Sequence, residues 1–247
     1  MTAYLVDMVE WFGVDGRWSF LDGNGVPFRV IQHVWLTLLA MVLAVVIALP
    51  PALKLAHDRR AEALASGLVN LGRAIPSFGL IVVFFVLAAR VDWIGTRHPP
   101  LVVALVALAL PPIFTNAYTA IREVDAGIVE ASRGMGYTER QLLREVEVPL
   151  ASPVIMAGLR IAFLQVIATV AIGAIVTNTG GVGYFIVRGF AQGATGRAEV
   201  LAGALLLAAL TLLADLVFTR VERRLIPHGV VDNAGLAAVA SRAGAAG

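Results

Sequence analysis

Cysteine is missing from all 247 residues, which excludes disulfides, thiolate metal sites and a cysteine nucleophile. Charge is scarce as well. Asp, Glu, Lys and Arg make up 15% of the chain and fall in clusters, and a formal net charge of +2 is too small to suggest nucleic acid. The chain has no G-x-x-x-x-G-K-[ST] loop, so any ATP hydrolysis linked to it must come from another polypeptide. The four histidines (His33, His57, His98 and His228) sit at different segment ends without metal-ligand spacing, and no serine occupies a nucleophile elbow. No enzymatic activity and no metal site are expected, and His57, His98 and His228 read as wet flanking residues. Residues 1–29 lack a signal peptide's basic start and unbroken apolar core, because Asp7, Glu10 and Asp15 interrupt them.

What remains is apolar. Hydrophobic residues make up 59% of the sequence and the mean hydropathy is +0.83, values that identify an all-α integral membrane protein. Against the roughly 20 residues needed to cross hydrocarbon, spans are predicted at about 30–53, 62–89, 100–121, 150–178 and 199–221. The second is expected as one span kinked at Pro76, because each half would be short for a crossing. Five crossings put the N-terminus outside and the C-terminus inside. Inside segments then carry Lys54, Arg59, Arg60, Arg122, Arg133, Arg140, Arg144, Arg220, Arg223 and Arg224, which outnumber Arg17, Arg29, Arg90, Arg97, Arg188 and Arg197 outside. Residues 1–29 form an extracytoplasmic segment. In it Leu5, Met8, Val9, Trp11 and Phe12 suit a short interfacial helix, with Trp11 and Trp18 as headgroup anchors. Residues 229–247, rich in Gly and Ala, read as a flexible cytoplasmic tail.

One long charged stretch, residues 125–149, lies between apolar runs, and it predicts two short helices. Asp125 caps the first, and Gly134 and Gly136 end it. Thr138-x-x-Gln141 has the capping-box pattern for the second, Leu142, Leu143 and Val146 form its apolar stripe, and Pro149 is expected to stop it. Glu130, Arg133, Glu139, Arg140 and Arg144 stay wet.

Glu130-Ala131-Ser132, then Gly136, then Val148-Pro149 resemble the cytoplasmic coupling loop of permease subunits of bacterial binding-protein-dependent ABC importers. The wording around Ser132-Arg133-Gly134-Met135-Gly136 is similar to the osmoprotectant branch, which carries glycine betaine, carnitine or choline. Gly72-Arg73-Ala74-Ile75-Pro76-Ser77, Leu110-Pro111-Pro112, Gly180-Gly181-Val182-Gly183 and Arg223-Arg224-Leu225-Ile226-Pro227 agree, so the resemblance covers roughly residues 30–230. It implies a type I ABC importer permease fold in the bacterial cytoplasmic membrane, with residues 30–228 as the transmembrane permease domain. It also implies partners: two copies of an ATP-binding subunit, which bind ATP and Mg that this chain does not, a second permease, identical or homologous, and an extracytoplasmic substrate-binding protein. Glu130, Ala131, Ser132, Gly136 and Pro149 would couple to the ATPase, and residues 180–197 would help dock the binding protein. The methionine-importer permeases share the loop and the Arg-x-Ile-Pro element, and an ATP-independent channel or scaffold is the reading from a different class.

Two charges fall inside spans, Arg160 and Asp215, at depths that permit a structural ion pair. A gate or proton relay is the alternative. Gln165 and Thr169 share a helix face. With Asn70, Ser77 and Asn116 they are candidates for a translocation path or for helix-to-helix glue. Phe78, Tyr118, Phe163, Tyr184 and Phe185 are the aromatic faces available to a quaternary ammonium.

Overall fold

The structure is a computed structural model that describes residues 2–20, 22–74, 76–90, 98–177 and 179–225. The expected tail at 229–247 and His228 lie outside the described residues. Regular structure among the described residues is helical: α1 (Thr2–Gly13), α2 (Val26–His57), α3 (Glu62–Ala74), α4 (Ser77–Ala88), α5 (Pro99–Arg122), α6 (Ala126–Gly134), α7 (Glu139–Gln141), α8 (Val148–Thr177), α9 (Gly183–Ala191) and α10 (Arg197–Leu225). A π-helical turn, Leu142–Glu147, joins α7 to α8. By length and composition, Val26–His57, Pro99–Arg122, Glu139–Thr177 and Gly193–Arg224 can each cross a membrane, and Ser77–Ala88 is a shorter apolar helix.

The centre of the fold is α5, packed against α2 and α8. Its contact with α2 stems from a seam of small residues: Ala40, Ala44, Ala48, Ala52 and Ala56 recur every four residues and all are buried. Side chains four apart share a helix face, and alanine lets the two backbones approach. Leu36, Leu101, Leu105, Ile113 and Val166 fill the same core. The α5–α8 contact is close at Gly158, where a Cβ would lie 2.4 Å from the Asn116 Cβ.

The expectation of one kinked helix over 62–89 is corrected. Pro76 takes an extended backbone conformation (ψ 125°) and caps α4, so the stretch is two helices. A proline disfavours helix in the residue before it and cannot donate to the preceding turn, which is enough to part the helix here. Together α3 and α4 still carry the chain from one end of the bundle to the other. The chain enters α3 where the Tyr118 hydroxyl donates to the Arg60 carbonyl, and it leads into α5 where His98 faces Gln32 at 3.4 Å.

A second, smaller core sits at the end of the bundle opposite the α6–α7 elbow, where Trp11, Val26, Val182, Phe185 and Ala202 are buried. This corrects the view of Trp11 as a headgroup anchor. It is 6% exposed, packs edge-on against Phe185 at 5.3 Å, and is covered by the Arg17 guanidinium at 4.0 Å. Trp18 remains exposed and donates to the Phe12 carbonyl.

Candidate functional site

The elbow is built by local chemistry. The Asp125 carboxylate accepts from the backbone N–H groups of Gly127 and Ile128, satisfying donors that the first turn of α6 leaves free. At the other end the Tyr137 N–H donates to the Ser132 carbonyl and the Gly136 N–H to that of Arg133, while Gly136 sits at φ +89°. These are the paired bonds of a Schellman closure, whose left-handed position favours glycine. Thr138 and Gln141 then form a reciprocal capping box.

The π turn decides how α7 passes into α8. The Val148 N–H reaches back five residues to the Leu143 carbonyl, and the helix continues through Pro149. The expected stop at Pro149 is therefore corrected: this residue lies in the first turn of α8. A proline lacks the N–H and crowds the carbonyl four residues before it, and the wider turn ahead of Pro149 accommodates both defects without a break. The elbow is thus continuous with α8.

Of the coupling candidates, Glu130, Ala131 and Gly136 are exposed, Pro149 is half-buried, and Ser132 is buried with its hydroxyl donating to the Ile128 carbonyl. Arg133 and Glu139 are exposed and form a two-bond pair at 2.8 and 3.0 Å. The hydrogen bonds from Arg133 hold the Glu139 carboxyl below the usual carboxylate range, and His57 adds to the effect.

His57 is the main departure from the sequence expectation. It is not a wet flanking residue. Its side chain is 8% exposed, with Nδ1 2.6 Å from Glu147 Oε2 and Nε2 3.0 Å from Glu139 Oε2. Glu147 is buried too. A signal for Glu147 exists in the sequence, because it stands four residues after Leu143 and so falls on the apolar face of the helix. Nothing in the sequence indicates that α2 ends against that face.

Near the same end of the bundle, α8 and α10 bring Arg160 and Asp215 together. Arg160 donates through Nε and Nη2 to the two carboxylate oxygens, both at 2.9 Å, and its Nη1 lies 3.6 Å from Glu222. The path candidates are more dispersed. Asn70 is exposed, and Ser77, Asn116 and Gln165 are half-buried. The Asn116 amide donates to the Pro112 carbonyl, and the buried Thr169 hydroxyl to the Gln165 carbonyl. Among the described residues, that last bond is the one hydrogen bond joining two of the five.

Of the aromatic candidates, the chain neighbours Tyr184 and Phe185 meet edge-on at 5.8 Å, and Tyr118 and Phe163 have different partners. Tyr118 stacks on Phe114, Phe163 packs on Phe218, and Arg29 covers Tyr184 at 3.7 Å. The glycine run is interior, which corrects its assignment to a docking face. A Cβ on Gly181 would lie 2.5 Å from the His33 Cβ, and one on Gly183 2.1 Å from the Ala171 carbonyl oxygen. Buried His33 bonds the Ile167 carbonyl and accepts from the Val182 N–H, locking that crossing. Exposed surface in this region starts only at α9, with Arg188, Phe190 and residues 191–195.

Comparison with known proteins places these features in context. Residues 40–227 match the family described as binding-protein-dependent transport system inner membrane component. The chain is 36% identical over 206 residues to the carnitine transport permease protein OpuCD of Listeria monocytogenes, covering 83% of this chain and 89% of that protein. It is 35% identical to the osmoprotectant import permease protein OsmW of Salmonella typhimurium, covering 85% and 96%. It is 30% identical to the choline transport system permease protein OpuBB of Bacillus subtilis, covering 86% and 94%. Among solved structures it resembles inward-facing MetNI methionine ABC transporter, with a TM-score of 0.68 and 25% identity over 82% of this chain and 96% of that one.

Proposed function

Because the chain belongs to the family of binding-protein-dependent transport system inner membrane components, we propose that it is the membrane-spanning subunit of an ATP-driven importer for quaternary ammonium osmoprotectants such as glycine betaine, carnitine or choline. The observation that carries the substrate class is the 36% identity to a carnitine permease across 83% of the chain.

In this reading the exposed elbow, residues 125–149, docks on an ATP-binding subunit, which holds ATP and Mg. Glu130 makes a polar contact, while Ala131 and Gly136 allow close approach. Two permease subunits, identical or homologous, stand over two ATP-binding subunits, with the N-terminus of each outside and the C-terminus inside. Closure of the ATP-bound pair draws the two elbows together and rocks the spans from inward-open to outward-open. A substrate-binding protein delivers the solute to the opposite face, where the exposed residues 190–195 and Arg188 lie. The path is lined by a subset of Asn70, Ser77, Asn116, Gln165 and Thr169, and the Arg160–Asp215 pair holds α10 to α8. No aromatic cage is required of this subunit, because solute selection belongs to the binding protein.

The likeness to a methionine transporter supports a second reading, methionine or another amino acid as cargo. Uptake assays with the assembled complex in liposomes decide between them. ATP-dependent accumulation of labelled glycine betaine, carnitine or choline is expected, and accumulation of methionine instead overturns the substrate class. Uptake that proceeds without ATP, or without any ATP-binding subunit copurifying, overturns the importer itself and leaves a channel or scaffold.

A further inference from the structure

His57 is the last residue of α2, and its ring sits between two parts of the elbow. Nδ1 faces Glu147 of the π turn and Nε2 faces Glu139 of α7. With both carboxylates ionised each offers only acceptors, and a ring that bonds both then donates from both nitrogens, as the imidazolium does. Glu139 in turn accepts the two bonds from Arg133 of α6. The sequence Arg133–Glu139–His57–Glu147 therefore ties α6, α7 and the π turn to the end of α2. The other charged groups nearby lead elsewhere: Lys54 and Asp58 pair with each other at 3.3 Å, and Arg144 and Glu145 of the π turn are exposed.

The elbow has two routes into the bundle. Its backbone runs through Pro149 straight into α8, so a displacement reaches α8 covalently. No such continuity links it to α2, which carries the alanine seam against α5. We propose that His57 is a positioning residue for energy coupling, a charged clamp through which movement of the elbow is passed to α2 and so to the α2–α5 pair. The proposal rests on the reading of the elbow as the ATPase-docking lever. Without the clamp the elbow still docks and ATP is still hydrolysed, but α8 moves while α2 lags.

The test uses the complete complex, with its ATP-binding subunit and binding protein, in liposomes. His57→Gln has one donor group in place of two opposed ones, and Glu147→Gln keeps the side-chain volume while removing the charge. In both variants the ATP-binding subunit is expected to copurify and hydrolyse ATP, while solute taken up per ATP falls about tenfold, the scale of one lost charge-assisted bond. An unchanged ratio in both variants overturns the clamp. So does loss of the ATP-binding subunit, because His57 would then shape docking instead of transmission. If the His57→Gln subunit itself does not fold into the membrane, Glu147→Gln carries the same two outcomes. Wild-type liposomes that show no ATP-driven uptake would refute the importer assignment, and the clamp with it, independently of either variant.

Discussion

Truncating Asp215 to alanine isolates a positive charge inside the bundle. Arg160 loses both 2.9 Å bonds and keeps, among the described acidic groups, only Glu222 at 3.6 Å. The two side chains are 35% and 30% exposed in the single subunit, so most of each is withdrawn from water. Removing one partner of a sequestered pair should therefore cost about 3 kcal/mol. Removing both, as Arg160→Leu with Asp215→Leu, deprives only Glu222, 3.6 Å from Arg160, of its cation and should cost about 1 kcal/mol, since desolvation of the Arg160–Asp215 pair roughly cancels its attraction. Each single leucine variant orphans a charge and the double largely does not, so the cycle of Arg160→Leu and Asp215→Leu has a coupling of about 5 kcal/mol between groups on α8 and α10. Thermal unfolding of the complex in lipid nanodiscs, with ATP-driven uptake measured in parallel, reads both quantities. If the paired-leucine variant is no more stable than Asp215→Ala, the bond is not what holds α10 to α8. If it is as stable as wild type but cannot transport, the structural role is refuted and the pair is a gate or relay.

Gly136→Asp puts a Cβ on a residue held at φ +89°, at a cost of about 1–2 kcal/mol. It should open the α6–α7 turn and weaken copurification of the ATP-binding subunit, and undiminished copurification and transport would count against the elbow as the docking element. Gly183→Val places a side chain within 2.1 Å of the Ala171 carbonyl oxygen and should leave little protein in the membrane fraction; normal yield would refute the close crossing at 180–183. Glu139 has a folded-state pKa depressed mainly by Arg133, so its contribution is present above the ordinary carboxylate range and is lost as pH falls through the depressed value. Hydrogen-exchange protection over residues 133–141, taken relative to the intrinsic rate at each pH, should therefore hold steady from neutral pH into mild acid and fall only below that range, and early loss of protection would disprove the assignment.

Local rules made most of the elbow legible. Asp125, Gly136 and the Thr138–Gln141 box each act within a few residues, so spacing alone determined the caps and the turn. Apolar length likewise located α2, α5, α8 and α10 to within a few residues. Two local readings went wrong because a neighbouring turn overrode a residue's usual effect: at Pro149 the π turn absorbed the missing donor, while at Pro76 nothing did and the helix parted.

The sequence by itself determined that this is a helical membrane protein with a capped, charged elbow between apolar spans, because hydropathy and capping depend on composition and on contacts over one or two turns. Only the tertiary structure decided which distant residues meet. His57 and Glu147 are joined across 90 positions, His33 and Val182 across 149. Such partners are selected by which helix faces pack together, and a histidine that ends a helix reads identically whether that end is bathed in water or closed under another segment's carboxylate.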